Sequence, residues 1–215
     1  MNRFLIRYLL LSLCALLLGC TSAYHSLMSA SVDVACAGKM IPTSMATSWY
    51  QASIDVANKH LSGLVLIKNM PDSSQRVVFT SEAGVTFFDF GFKRPGKFMV
   101  HAITKKLNRK PVIRTLRQDF ELMMGIPFSD GALQSWKTQG ETFFGVVQKK
   151  ETAYFIVDKD CSSLRRLERG TKRKRKVSIR ISRAGYPLPD TLDITHYTFP
   201  LQIRLTRFQK NDSSQ

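Results

Sequence analysis

Arg76-Val77-Val78-Phe79-Thr80-Ser81 and Val85-Thr86-Phe87-Phe88-Asp89-Phe90, with Glu82-Ala83-Gly84 between them, carry the reading of this fold. Two runs rich in β-branched and aromatic residues, joined by a short turn ending in glycine, predict a β-hairpin. Upstream, Tyr50, Ala52, Ile54 and Val56 alternate with Gln51, Ser53 and Asp55, the period of a strand with one buried face. Asn58-Lys59 turns the chain into a strand over Leu61–Lys68, apolar on both faces at Leu64-Val65-Leu66-Ile67, which Asn69-Met70-Pro71-Asp72 breaks. Downstream, Gly91-Phe92-Lys93-Arg94-Pro95-Gly96 reads as another turn, leading into a strand over Lys97–Ile103.

Pro111 opens the one strong helical pattern. Ile113, Leu116, Phe120 and Met123 recur at helical spacing, Arg114, Arg117, Gln118 and Glu121 lie off that stripe, and Gly125 with Pro127 ends it. A helix with a single apolar face must cover something, and a curved sheet is the available partner. After a loop bearing Gly, Ser and Asp, strands are predicted again over Thr142–Gln148, Thr152–Asp158 and Leu164–Arg169. Three alternating runs follow: Val177, Ile179 and Ile181; Leu192, Ile194 and His196; Leu201, Ile203 and Leu205. The expected class is mainly β (α+β): an antiparallel, strongly curved sheet or incomplete barrel of about eleven strands, covered by a helix.

With 215 residues and 44% hydrophobic content, the chain is long enough for one substantial core, and its patterned aromatics exclude a disordered polyelectrolyte. Asn2, Arg3 and Arg7 form a short basic segment, and Tyr8 to Leu18 a nearly continuous apolar one, too short for a stable spanning helix. It ends at Leu17-Leu18-Gly19-Cys20, which resembles the lipobox of bacterial lipoproteins, so residues 1–19 are expected to be a signal peptide and Cys20 the lipidated residue. The competing reading is an ordinary secretory signal with an incidental cysteine. Thr21-Ser22-Ala23 contains no Asp, which by resemblance to the sorting rule of enteric bacteria points to the outer membrane, facing the periplasm. Residues 20–48, rich in Ser, Ala and Thr, are expected to be a lipid-anchored tether, 49–210 the folded domain and 211–215 a polar tail.

The formal charge of +16 would ordinarily raise nucleic acid first. Export argues against it, and loss of Arg3 and Arg7 still leaves two fewer than +16, or +14, to meet the polyanions of an envelope. Once Cys14 leaves with the signal and Cys20 is acylated, Cys36 and Cys161 remain. In an oxidising periplasm they could pair and tie the N-terminal segment to the body; two free thiols are the alternative.

Several of these pieces, in their order, resemble the LolA/LolB group, the periplasmic carrier and outer-membrane receptor of lipoprotein sorting. Gly63 opens the apolar strand, and Arg76-Val77-Val78-Phe79-Thr80 passes through a turn ending in Gly84 into Val85 to Phe90, as in the LolB receptor. Leu116-Arg117-Gln118 followed by Gly125-Ile126-Pro127 is similar to the receptor's Leu-Arg-Gln and Gly-Leu-Pro. Pro189-Asp190-Thr191-Leu192-Asp193-Ile194 and Leu201-Gln202-Ile203-Arg204-Leu205 follow its terminal hairpin. The resemblance spans roughly Tyr50 to Phe208. It implies a half-barrel of eleven antiparallel strands closed by helices, an apolar cavity for acyl chains, and a soluble periplasmic carrier as partner.

The candidate cavity residues are surplus apolar positions: Leu64, Leu66, Phe79 and Phe87 in the first half, Leu116, Phe120 and Met123 on the helix, and Phe144, Val146, Phe155 and Val157 beyond it. Each could equally be plain core. The receptor carries an exposed Leu in the loop where this chain has Glu82-Ala83-Gly84, and Ala83 cannot replace it. Phe92, flanked by Lys93 and Arg94, is the alternative candidate for a membrane interface. Lys172-Arg173-Lys174-Arg175-Lys176 sits at a predicted hairpin and could hold anionic head groups or a partner's acidic patch, or be a solvated turn.

Chemistry finds little footing. There is no GxSxG, HExxH, Walker loop or GxGxxG, and His25, His60, His101 and His196 are scattered without ligand spacing. No cofactor, metal or nucleic acid is expected, and the protein is read as a monomeric non-enzyme. The expected function is an outer-membrane lipoprotein that binds acyl chains and takes part in lipoprotein localisation. The alternatives are a carrier or chaperone for another lipid or glycolipid, and a non-catalytic assembly lipoprotein of the envelope.

Overall fold

The computed structural model describes residues 23–42, 45–56, 58–93, 96–129, 131–182 and 188–208. The expected signal segment, Cys20, Arg94 and the expected polar tail lie outside them. In chain order the elements are β1 (Met28–Ala30), α1 (Val34–Met40), β2 (Ser48–Val56), β3 (Lys59–Asn69), β4 (Gln75–Thr80), β5 (Thr86–Lys93), β6 (Lys97–Ile103) and α2 (Lys110–Met123). A 3₁₀ turn (Ile126–Phe128) then leads into β7 (Leu133–Lys137), β8 (Glu141–Gln148), β9 (Glu151–Asp158), β10 (Leu164–Gly170), β11 (Arg175–Ser182), β12 (Thr191–His196) and β13 (Leu201–Arg207).

Among the described residues, thirteen strands form one antiparallel sheet in the order β1-β7-β8-β9-β10-β11-β12-β13-β2-β3-β4-β5-β6. The two halves of the chain join at β2 and β13, where Ile54 faces Ile203 and Ala52 faces Leu205. β1 and β6 are the outer strands and are not neighbours, so the sheet curves without closing. α2 carries the chain from β6 at one edge to β7 beside the other, and Leu116, Phe120, Leu122 and Met123 are buried against the concave face.

That face is aromatic. Phe88 stacks on Phe90 with ring centroids 4.5 Å apart, and Phe120 of α2 approaches Phe88 at 5.8 Å. On the other side Phe155 meets Phe144 at 5.0 Å and Phe128 at 5.1 Å. Gly63 is needed where β3 and β4 come close, since a Cβ there would lie 2.1 Å from the Thr80 carbonyl oxygen. Gly125, at φ +68°, turns the chain off α2, and a Cβ there would meet the Pro42 carbonyl oxygen at 1.7 Å.

Two strands depart from expectation. β7 falls in the stretch read as loop between Gly125 and Thr142, and β1 in the stretch read as tether. Both are short, five and three residues, too short for a period to show. The described part of the expected tether is folded onto the body. Met28 and Ala30 pair with Lys137 and Ser135, and Asp33 caps α1 by accepting from the Cys36 N–H at 2.9 Å. Tyr24 is buried, its hydroxyl donating to Glu168 Oε2 at 3.0 Å. Every one of these partners beyond α1 is distant in sequence, so no local pattern announced them.

Cys36 and Cys161 form a disulfide with Cα atoms 5.8 Å apart and a sequence separation of 125 residues. A bridge closing so long a loop restricts the unfolded chain strongly, and loss of such a native bridge costs roughly 2–5 kcal/mol. Cys161→Ser should lower the urea-unfolding free energy within that range and leave the far-ultraviolet spectrum unchanged. A loss under about 1 kcal/mol would shift the fastening of the N-terminal segment to Tyr24 and β1.

Candidate functional site

Beneath the first half of α2 the apolar surface is left unfilled. Ile54 and Val56 of β2, Leu61 of β3, Phe79 of β4, Phe88 of β5 and Leu201 of β13 form one wall. Leu107, Pro111, Val112, Thr115 and Leu116 form the other, and Phe199 stands at the rim, around a groove of about 370 Å³. Val112, Thr115 and Leu116 are spaced to share one helix face, and the first two are too small to fill the space before them. The volume is at the lower end of small-molecule sites, about 300–1,000 Å³.

Of the expected cavity residues, Phe79 and Leu116 line this groove, and Phe87 lies half-buried with its ring 4.9 Å from that of Phe79. Phe120, Met123, Phe144, Val146, Phe155 and Val157 are buried in the core. Leu64 and Leu66 are a correction: in β3 it is Val65 and Ile67 that face the core, and pleating sends the two leucines to the opposite face, half-buried. An uninterrupted apolar run hides which parity points inward. Ile54, Val56, Leu61 and Leu201 were missed as groove residues, although the alternation of β2 and β13 already marked three of them as inward.

Phe92 does not serve as an interface side chain. β5 runs on through Lys93 instead of turning at Gly91, so Phe92 is 3% exposed, against Phe98 and Phe120. Lys93 pairs with Asp72 at 3.3 Å. Ala83 is exposed in the turn between β4 and β5.

The basic run is divided by a buried carboxylate. Glu168 is fully buried, and a buried anion requires compensating donors. Arg166 Nε donates to it at 2.7 Å, and Arg175 Nε and the Tyr24 hydroxyl each at 3.0 Å. Burial, together with this neighbouring carboxylate, pushes the Tyr24 phenol upward. Lys176 pairs with Glu151. Arg175 and Lys176 are thus committed to the fold, while Lys172, Arg173 and Lys174 stand exposed between β10 and β11.

A second buried carboxylate fastens α2. Asp119 is fully buried; its Oδ2 is hydrogen-bonded to His196 Nε2 at 2.8 Å, and its Oδ1 lies 3.8 Å from Arg169 Nη2. Arg169 also donates from Nη1 to the Gln118 carbonyl at 3.2 Å. The alternation of β12 hinted at an inward His196, but its helical partner carried no sequence signal. Burial raises the Asp119 carboxyl above its ordinary value, against the opposing pull of His196 and Arg169. Burial likewise lowers the Arg169 guanidinium.

A raised native pKa means the folded chain keeps a proton that the unfolded chain has released. The stabilisation from Asp119 is therefore fully present below the ordinary carboxylate pKa and is lost as pH rises through the native value. In urea unfolding, the advantage of the native chain over Asp119→Asn should shrink across that window as pH rises; an advantage independent of pH would refute this. Asp119→Ala, which removes the hydrogen-bond partner of His196 and leaves Arg169 with Glu151 at 3.4 Å and the Gln118 carbonyl, should cost about 1–3 kcal/mol.

Among the described residues no helix is long and apolar enough to cross a membrane. No family model matches the chain, and no curated protein matches it. Among solved structures it is similar to a DUF1329 family protein from Desulfovibrio piger, with 12% identity and a TM-score of 0.45, over 84% of this chain and 92% of that one.

Proposed function

We propose that this protein is a lipoprotein of the outer membrane, anchored through Cys20, that takes up acyl chains in the groove beneath α2 and participates in lipoprotein localisation. The observation that carries the reading is the groove itself: an apolar concavity of about 370 Å³ that the protein's own side chains leave unfilled. A buried methylene contributes about 0.8 kcal/mol, so a segment of roughly six contributes about 5 kcal/mol before ordering costs. Binding of that strength is reversible, as transfer between a donor and a membrane requires. Cargo would move by a difference in affinity, without bond making.

A carrier of another lipid or glycolipid uses the same groove, and the high positive charge favours an anionic one. Native mass spectrometry with lipid extraction, on the secreted chain carrying Cys20→Ala, separates these readings. An acylated peptide or lipoprotein at near one-to-one supports the first, and a phospholipid or glycolipid the second. A chain that carries nothing and takes up nothing from a loaded donor leaves an assembly lipoprotein. Val112→Trp, which places a large ring in the groove, should lower lipid occupancy at least about tenfold with the fold intact. Undiminished occupancy would place the lipid elsewhere.

A further inference from the structure

We infer that one end of the half-barrel is a bilayer-docking surface for anionic lipid head groups. Because the strands alternate in direction, the β2–β3, β4–β5, β8–β9, β10–β11 and β12–β13 connections and the β6–α2 loop all lie at the same end. These connections carry Lys105, Lys106, Lys149, Lys150, Arg173 and Lys174, all exposed, with Glu82 their one carboxylate among the described residues. The loops at the other end carry Asp72, Asp160 and Asp190 beside Lys159. Among the described residues the loops at this end are therefore the more basic, while the exposed lysines at the other end, Lys68, Lys97 and Lys137, sit near strand ends and share that end with these aspartates.

Large apolar side chains are exposed at the basic end too. Val85 is 57% exposed, Val147 and Tyr197 52%, and Phe199 40%. Basic side chains interleaved with exposed aromatic and aliphatic ones suit the boundary between head groups and acyl chains, where each needs what the other excludes. The groove reaches this end, since Phe199 of its rim and Leu107 of its wall belong to the β12–β13 and β6–α2 loops.

The chain arrives at the same place. The Ala23 N–H donates to the Arg173 carbonyl at 3.2 Å, so the N-terminal segment meets the body on the β10–β11 hairpin. Cys20, the proposed lipidation site, is three residues earlier in the chain. An acyl anchor on Cys20 would therefore tether the chain to the bilayer close in sequence to the residue that meets this hairpin. Only this step rests on the lipoprotein reading; the charge and the exposed apolar residues stand without it.

The test is co-sedimentation of the full chain carrying Cys20→Ala with vesicles of phosphatidylcholine, alone or mixed with phosphatidylglycerol. Binding should require phosphatidylglycerol and weaken in high salt. Each basic side chain near an anionic surface is worth about fivefold in affinity, so joint replacement of Lys149, Lys150, Arg173 and Lys174 by Ser should lower binding at least about a hundredfold. The same replacement of Lys68, Lys97, Lys137 and Lys159, exposed towards the other end, should change it little, because those charges lie beyond the screening length of about 10 Å. Equal losses in the two variants, or equal binding to both vesicle types, would overturn the inference. Lipid occupancy by native mass spectrometry is read separately: loss of vesicle binding with retained lipid keeps the acyl-chain reading, and vesicle binding by a chain without lipid keeps the docking surface alone.

Discussion

A sheet whose outer strands do not meet leaves a concave apolar face that neither a further strand nor water can cover without penalty. In this protein the task falls to α2, and most of the architecture follows from how it is held. The helix has to bridge from β6 to β7, so its ends are fixed by connectivity while its middle is free to pack. Asp119 fixes the middle. Its carboxylate sits between His196 of β12 and Arg169 of β10, so helix and sheet share one buried electrostatic site besides their apolar contact. Such a site specifies position more than it stabilises, because desolvation consumes much of the attraction.

The position so specified decides what is open. Around Phe120 and Met123 the helix lies on the sheet without a gap, whereas Val112 and Thr115 are too small to reach across to β2 and β13. A groove thus exists at one end of the helix and a packed core at the other. The outer face has its own counterpart, where Glu168 gathers Arg166, Arg175 and Tyr24 and fastens the first described residues to the sheet. Two buried carboxylates, one on each face, hold the two segments that are not part of the main run of strands.

Period-two patterning made most of this sheet legible before any coordinates, because long antiparallel strands with one wet face write their geometry into the sequence. β2, β11, β12 and β13 are of that kind. Where both faces are apolar the pattern loses its parity, which is why Leu64 and Leu66 were assigned inward in place of Val65 and Ile67. β1 and β7 are too short to show a period. Phe92 was misplaced because Gly91 and the Pro95-Gly96 pair suggested a turn, and the strand takes Gly91 in stride before turning later. The groove was half legible: Phe79 and Leu116 could be named, but an opening is an absence of side chains and depends on the distance between helix and sheet. Asp119 with His196, 77 residues apart, is a pairing that only the fold creates.

The bridge between Cys36 and Cys161 also imposes an order of events. If the chain is exported from its N-terminus, as proposed, Cys36 arrives far ahead of Cys161, with 125 residues of separation still to follow. During that interval the nearest other thiol is that of Cys20, sixteen positions away and a ready competitor. Acylation of Cys20, as proposed, converts its thiol to a thioether and removes it from exchange, leaving Cys36 a single correct partner. Lipid attachment would then act as an editing step for oxidation, making the native pairing the only disulfide the mature chain can form.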